Sequence, residues 1–309
     1  MPKYKAKRGN GRSSAYKILS AVIVLIMALA GFVSQKMGLF SDVQTLPATS
    51  ISADGQLAVH FIDVGQGDAE LIIAPTGEAM LIDAGPGSSE TSLLAYLSAL
   101  GISELEYAVF THPHEDHIGG ADGVVNNIDV KKVIMPDAES STVTFEKLLT
   151  AIDKRGCEVD VPAVGDTYSL GDAVFTVLAP NSSGYDSLNN YSIVMRLDYG
   201  ESSFLFTGDA EALSEKEILA NSPKLLDCDV LKAGHHGSST SSSQDFLDAV
   251  TPDIAVISCG AGNDYGHPHS ETLTKYSAMN IRVLRTDLSG SIVITSDGHN
   301  ITVAGDEAA

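Results

Sequence analysis

The chain reads as an α/β protein in which mixed sheets carry helices on their outer faces. Three observations predict this. Short β-branched and apolar runs alternate with amphipathic segments after Gln56, 44% of the residues are hydrophobic, and 309 residues suffice for one large two-layered domain or two small ones. The three cysteines, Cys157, Cys228 and Cys259, are far apart, form no Cys-x-x-Cys pair and are odd in number. They predict neither a disulfide framework nor a structural zinc knot, and read as small buried filler.

Residues 1–40 form a separate segment. Lys3, Lys5, Lys7, Arg8, Arg12 and Lys17 precede the apolar run Ile18 to Val33, and no acidic residue occurs before Asp42. A basic flank followed by an apolar stretch reads as an export signal or a membrane anchor. Ala28-Leu29-Ala30 offers a small-x-small cleavage site, whereas continuation through Gly38-Leu39-Phe40 offers a tilted single span. Both outcomes place the remainder outside the cytoplasm, either membrane-anchored on the extracytoplasmic side or secreted. Residues 41–55, rich in Ser, Thr, Asp and Pro, read as a linker, and residues 56–309 as the functional domain. The first 40 residues hold seven of the 19 Lys and Arg, which leaves 12 against 40 Asp and Glu, a net of −28 for the rest. So acidic a body repels polyanions at long range and disfavours nonspecific nucleic-acid binding, although a bound cation reverses the sign inside a pocket.

The domain then unfolds in order. Leu57 to Ile62, Ala69 to Ala74 and Ala79 to Ile82 predict an antiparallel start, joined by the Gly65-Gln66-Gly67 and Pro75-Thr76-Gly77 turns. Ser89 to Leu100 reads as a helix, Tyr107 to Phe110 as a buried strand, and Ala121 to Val125 as a helix. Lys132 to Met135, a helix from Thr144 to Lys154, and strands near Glu158 and over Val174 to Leu178, Ile193 to Asp198 and Phe204 to Thr207 follow. The second half repeats strand then helix: Val230 to Ala233, Phe246 to Val250, Ile254 to Ser258, Glu271 to Met279, then strands at Val283 and Ile292 to Thr295.

The chemistry concentrates after the Tyr107 strand. His112-Pro113-His114-Glu115-Asp116-His117 places four strong metal ligands within six residues, a density that packing does not require. With residues 112–114 extended, His112 and His114 project to one side and share one cation, while Asp116 and His117, at the start of the next helix, reach a second. Gly119-Gly120 permits close backbone approach there. Imidazole and carboxylate donors suit zinc, with manganese or iron as alternatives, and an open coordination position lowers the pKa of bound water to about 7. The chemistry this implies is hydrolysis.

The pattern His-x-His-x-Asp-His resembles the metallo-β-lactamase superfamily of hydrolases, and the resemblance implies a four-layered αββα sandwich holding two divalent metal ions. Two further motifs agree in order. Leu81-Ile82-Asp83-Ala84-Gly85 places Asp83 where the family uses an aspartate to orient metal ligands, and Phe204-Leu205-Phe206-Thr207-Gly208-Asp209 places Asp209 where a carboxylate bridges both ions. Leu231-Lys232-Ala233-Gly234-His235-His236-Gly237-Ser238 supplies the late histidine, read as His235, with His236 facing substrate. The implied ligands are therefore His112, His114, Asp116, His117, Asp209 and His235. One departure stands out: no histidine lies from Ile118 to Gly208, where the family has one. Asn189-Asn190-Tyr191-Ser192 occupies that region, so Asn189 or Asn190 is expected to offer an amide oxygen, or a water, beside the first ion.

That departure, together with Asp63-Val64-Gly65-Gln66-Gly67-Asp68, His-His-Gly-Ser and Tyr265-Gly266-His267-Pro268-His269, resembles the extracytoplasmic hydrolase domain of the ComEC family of DNA-uptake proteins over roughly residues 56–305. Phosphorylcholine esterases of bacterial surfaces look similar too. The expected activity is hydrolysis of a small or polymeric phosphodiester, DNA among them, by water activated between the two ions. Asp116, His236 and His269 are the candidate catalytic side chains, and the Ser238 to Ser243 run offers hydroxyls to phosphate oxygens. His267 and His269 are also placed to cap the following helix; His60 and His299 read as structural or surface residues. Competing readings are hydrolysis of a C–O or C–N bond in a lactone, thioester or β-lactam, and a noncatalytic surface factor linked to DNA uptake.

Overall fold

The computed structural model describes residues 55–305, so the leader, most of the linker and residues 306–309 lie outside the described residues. Among the described residues no helix is long and apolar enough to cross a membrane.

The predicted antiparallel start is present as β1 (Leu57–Phe61), β2 (Glu70–Ile73) and β3 (Ala79–Ile82). After α1 (Glu90–Ala99) the chain enters β4 (Glu104–Val109), parallel to β3, then the short helices α2 (Glu115–Ile118) and α3 (Ala121–Asn127). Next come β5 (Asp129–Ile134), α4 (Val143–Arg155) and β6 (Glu158–Asp160), both strands again parallel to their predecessors. The chain then crosses to a second sheet through β7 (Thr167–Leu170), β8 (Ala173–Ala179), β9 (Val194–Tyr199) and β10 (Ser202–Phe206), an antiparallel meander. From there α5 (Ala212–Asn221), β11 (Val230–Lys232), α6 (Gln244–Val250), β12 (Ile254–Ile257), α7 (Ser270–Ala278) and β13 (Arg282–Arg285) extend it with parallel strands. After the short α8 (Thr286–Ser289), β14 (Ile292–Ser296) and β15 (Ile301–Val303) return to the first sheet beside β1. The strand orders are β15-β14-β1-β2-β3-β4-β5-β6 and β13-β12-β11-β10-β9-β8-β7.

Strand alternation sorts side chains into three apolar layers, which makes the architecture an αββα sandwich. In β1, Leu57, Val59 and Phe61 point between the sheets to meet Met80, Phe175, Met195 and Phe206, while Ala58 points outward with Leu71 and Leu81. Leu93 and Leu97 of α1 and Phe145 and Leu148 of α4 close the outer side of the first sheet. Ile218, Phe246, Leu247 and Tyr276 do the same for the second, over Leu205, Leu231 and Ala255. Both faces of the central strands are therefore covered, which is why they read as continuous apolar runs.

Several elements were not legible locally, among them β7 and β15, which are only four and three residues long, and α5, which has no clean apolar stripe, since Leu213 is half-exposed while Ile218 is fully buried. The start of α5 is also capped from a distance: Asn190 Oδ1 accepts from the N–H groups of Glu211 and Ser214, each at 3.3 Å.

Candidate metal centre

Parallel strands deliver the motif loops to one rim. Asp83 follows β3, His112 to His117 follow β4, Asp209 follows β10, and His235 and His236 follow β11. Glycine allows the loops to touch there: a Cβ on Gly119 would lie only 2.1 Å from the Gly87 nitrogen.

Two groups of donors form around Asp209. Asp116, His117, Asp209 and His236 bring one donor atom each within 4.8 Å of one another, and His112, His114 and Asp209 do likewise. Within the first group Asp209 Oδ1 lies 3.2 Å from His117 Nε2 and 3.6 Å from His236 Nε2, and Asp116 Oδ2 lies 3.3 Å from His236 Nε2. Within the second, His112 Nε2 is 2.9 Å from His114 Nδ1 and 3.8 Å from Asp209 Oδ2. Asp209 thus turns one oxygen to each group.

The first group fits a divalent cation on the donors' own terms. His117 Nε2, His236 Nε2 and Asp209 Oδ1 are buried and have no hydrogen-bond partner, a costly arrangement unless something else binds them. The far nitrogen of each ring explains the bare lone pair. His117 Nδ1 lies 2.7 Å from Asp83 Oδ2, and Asp83 also accepts from the Thr111 N–H (2.7 Å) and hydroxyl (2.6 Å). His236 Nδ1 lies 3.0 Å from the Ser258 carbonyl, which can only accept, so Nδ1 holds the proton and Nε2 is left as a ligand. Burial opposes charge on both rings, but Asp209 with Asp83 pushes His117 well above the usual imidazole range, and Asp209 with Asp68 raises His236 to about 10, so without a cation both rings hold a proton on Nε2 that metal binding would displace. His112 is displaced the other way, held neutral by burial and by its neighbour His117.

A buried charge network underlies this group. Lys232, on β11, donates from Nζ to Asp68 Oδ2 at 2.7 Å and to the Ala233 carbonyl at 3.0 Å, and Asp68 Oδ1 lies 3.1 Å from His236 Nδ1. Burial would raise the Asp68 pKa, but the charges of Lys232 and His236 and the hydrogen bond from His236 together outweigh it and keep the carboxylate ionised. Glu70, desolvated and beside Asp68, is pushed well above the carboxylate range.

The structure brings most of the predicted residues together and separates others. The backbone at His235 and His236 is left-handed, φ 50° and 53°, and this turn sends His236 inward to 1% exposure. His236, the residue expected to face substrate, is the one within the four-donor group; His235, expected as the ligand, lies at the rim, with Nε2 3.6 Å from Asp209 Oδ2 and Nδ1 2.9 Å from Thr240 Oγ1. Asn190 turns away to cap α5, whereas Asn189 lines the cleft with a buried Oδ1 that has no partner. His269 is not among the cleft-lining residues: Nδ1 accepts from the Ser239 N–H at 3.0 Å and Nε2 lies 3.3 Å from the Tyr265 carbonyl, with no capping bond to α7. Much of the Ser238 to Ser243 run is tied into the fold, since Ser241 Oγ donates to the Ala210 carbonyl, Ser242 Oγ pairs with the Tyr276 hydroxyl and the Ser243 N–H donates to Glu215. Gln66, Tyr265 and His267 do line the cleft, of about 320 Å³, with His114, Asp116 and Asp209. All three stood in recognised motifs, but nothing local separated His267 from His269.

The sandwich and its paired donor groups are those of a metal-dependent hydrolase, and with the superfamily profile matching residues 62–261 the chain belongs to the metallo-beta-lactamase superfamily. Within it the chain resembles the ComEC-like competence proteins. It is 35% identical to ComE operon protein 3 of Bacillus subtilis, across 78% of this chain and 33% of that protein. To Competence protein ComA of Neisseria gonorrhoeae it is 30% identical, across 86% of this chain and 34% of that protein. The chain thus spans about a third of the length of these relatives. Among solved structures, the metallo-beta-lactamase fold protein YhfI from Bacillus subtilis superposes with a TM-score of 0.55 at 13% identity, across 79% of this chain and all (100%) of that one, which shows a common fold.

Proposed function

We propose that this chain is a binuclear phosphodiesterase acting outside the cytoplasm, on nucleic acid or a comparable phosphodiester polymer. The observation that carries it is the set of buried, partnerless donors His117 Nε2, His236 Nε2 and Asp209 Oδ1 beside a second group that shares Asp209. Asp116, His117, Asp209 and His236 would hold one cation; His112, His114 and Asp209 would hold the other, with His235 Nε2, 3.6 Å from Asp209 Oδ2, and the partnerless Asn189 Oδ1 of the same cleft as the candidates to complete it. Two bound cations, zinc first and manganese or iron as alternatives, would supply a Lewis acid for a phosphate oxygen and a water of pKa about 7. The chain's own part is to fix the donor geometry. Asp83 and the Ser258 carbonyl hold the tautomers of His117 and His236, and the cleft admits one phosphate with its neighbouring groups. The names of the relatives, which include a competence protein and a recombination protein, support nucleic acid, and the basic-then-apolar leader supports export.

The test is a substrate panel on the full chain loaded with zinc or manganese: a phosphodiester ester, single-stranded oligonucleotides, a lactone and a β-lactam. Chelator-sensitive cleavage of the phosphodiesters, and of these alone, is expected. Turnover confined to the lactone or lactam overturns the phosphodiesterase reading.

A further inference from the structure

The loop between β12 and α7 carries an aromatic ring to the mouth of the metal cleft, and packing does not account for it. Tyr265 lines the cleft yet is 67% exposed. One face of its ring stacks on His267, with centroids 5.6 Å and planes 22° apart, and the exposure leaves the opposite face to solvent. The loop that holds it is fastened throughout. Asn263 Oδ1 accepts from the N–H groups of Tyr265 (3.2 Å) and His267 (3.0 Å), and Asn263 Nδ2 donates to the carbonyls of Gly260 (2.9 Å) and His267 (2.6 Å). The loop is joined to the turn after β1 by Gln66, which accepts from the Gly260 N–H at 3.1 Å and reaches His267 Nδ1 at 3.4 Å. Scattered exposed aromatics are ordinary on a protein surface; a ring clamped in place over a cleft that also holds His114, Asp116 and Asp209 is preorganised for a contact.

From this geometry we infer that Tyr265 is a stacking platform for a planar base beside the scissile phosphodiester, which makes the preferred substrate a single-stranded nucleotide chain. This rests on the phosphodiesterase reading for the reaction, though not for the binding. Three considerations lead to a base. A formal net charge of −21 gives little long-range attraction to a polyanion, so beyond the single phosphate that bound cations would take, a nucleic acid must be recognised through an uncharged contact. A flat aromatic face takes an unstacked base of any sequence, whereas bases within a duplex are already covered by their neighbours. A quaternary ammonium group, the other common partner of aromatic faces, is held by a cage of several rings, and among the described residues Tyr265 is the one Phe, Tyr or Trp lining this cleft.

The experiment compares a short single-stranded oligonucleotide with its abasic counterpart on the metal-loaded full chain. Equilibrium binding is measured on non-hydrolysable versions of both and KM on cleavable ones. The wild type should prefer the base-bearing strand by about tenfold, the size of one base–aromatic stack. Tyr265→Phe should keep that ratio and Tyr265→Ala should bring it close to one, in binding and in KM alike. A ratio near one in the wild type, a ratio kept by Tyr265→Ala, or a ratio lost in Tyr265→Phe overturns the platform. Failure of the wild type to cleave either strand while the binding ratio persists overturns the phosphodiesterase reading and leaves the platform standing.

Discussion

Lys232 and Asp68, 164 residues apart in sequence, meet as a fully buried ion pair with Nζ 2.7 Å from Oδ2. The pair fastens β11 of the second sheet to the loop after β1 of the first, directly behind His236. Removing one partner of such a pair strands a buried charge, which costs about 3–5 kcal/mol. Lys232→Met should therefore destabilise the metal-free protein by about that much in urea unfolding, and the double change Asp68→Asn with Lys232→Met should cost distinctly less. A Lys232→Met protein within about 1 kcal/mol of wild type, the level of an exposed pair, would show that the pair contributes no more than one at the surface.

The two adjacent histidines are separable by metal content. His236→Ala removes a donor from the four-residue group, so elemental analysis after dialysis should show it losing most of one ion, while His235→Ala, at the rim, loses less. Asp209→Ala, facing both groups, should lose the most. Greater loss in His235→Ala than in His236→Ala would restore the reading suggested by the motif alone.

Chelation tests a different link. The three apolar layers contain no member of the donor groups, so excess chelator should abolish turnover while far-ultraviolet circular dichroism stays near the metal-loaded spectrum. Collapse of the spectrum on chelation would mean that the ions hold the fold together.

Asn190 makes its contribution through α5. Because its Oδ1 accepts two N–H groups at the start of that helix, Asn190→His should cost about 0.5–2 kcal/mol, the value of a helix cap, and should not improve metal retention. Asn189→His is the variant that puts a ring at the cleft. Tighter retention in Asn190→His than in Asn189→His would contradict this placement.

His60 predicts the direction of acid sensitivity away from the metal groups. Its Nδ1 meets the Tyr96 hydroxyl at 3.0 Å, its Nε2 is buried without a partner, and burial lowers its pKa from 6.5 to about 4. The folded state therefore binds fewer protons than the unfolded chain between those values. The associated stability is complete above pH 6.5, falls as the pH drops towards 4 and amounts to about 3 kcal/mol in all. His60→Gln, which does not titrate, should lose correspondingly less stability than wild type between pH 7 and pH 4. Equal losses in the two proteins would refute the assignment.

The sequence by itself determined whatever depends on neighbours along the chain. The antiparallel start, the apolar strands and the helix over Val143–Arg155 follow from periodicity and turn residues, and the His112 to His117 spacing puts two donor pairs into two adjacent groups because strand and helix-start geometry are local. Only the tertiary structure decided the rest. Which of His235 and His236 turns inward depends on two consecutive left-handed residues, whose conformation is imposed by packing rather than by their own preference. Asn190 caps a helix more than 20 residues away, with separations of 21 and 24 residues to its donors, and Asp68 finds Lys232 across two sheets. Tyr265 and His267 reach the cleft because Asn263 and Gln66 fasten their loop there. These are contacts between distant segments, and side-chain direction at such meeting points is set by which strands become neighbours, a quantity that no local period encodes.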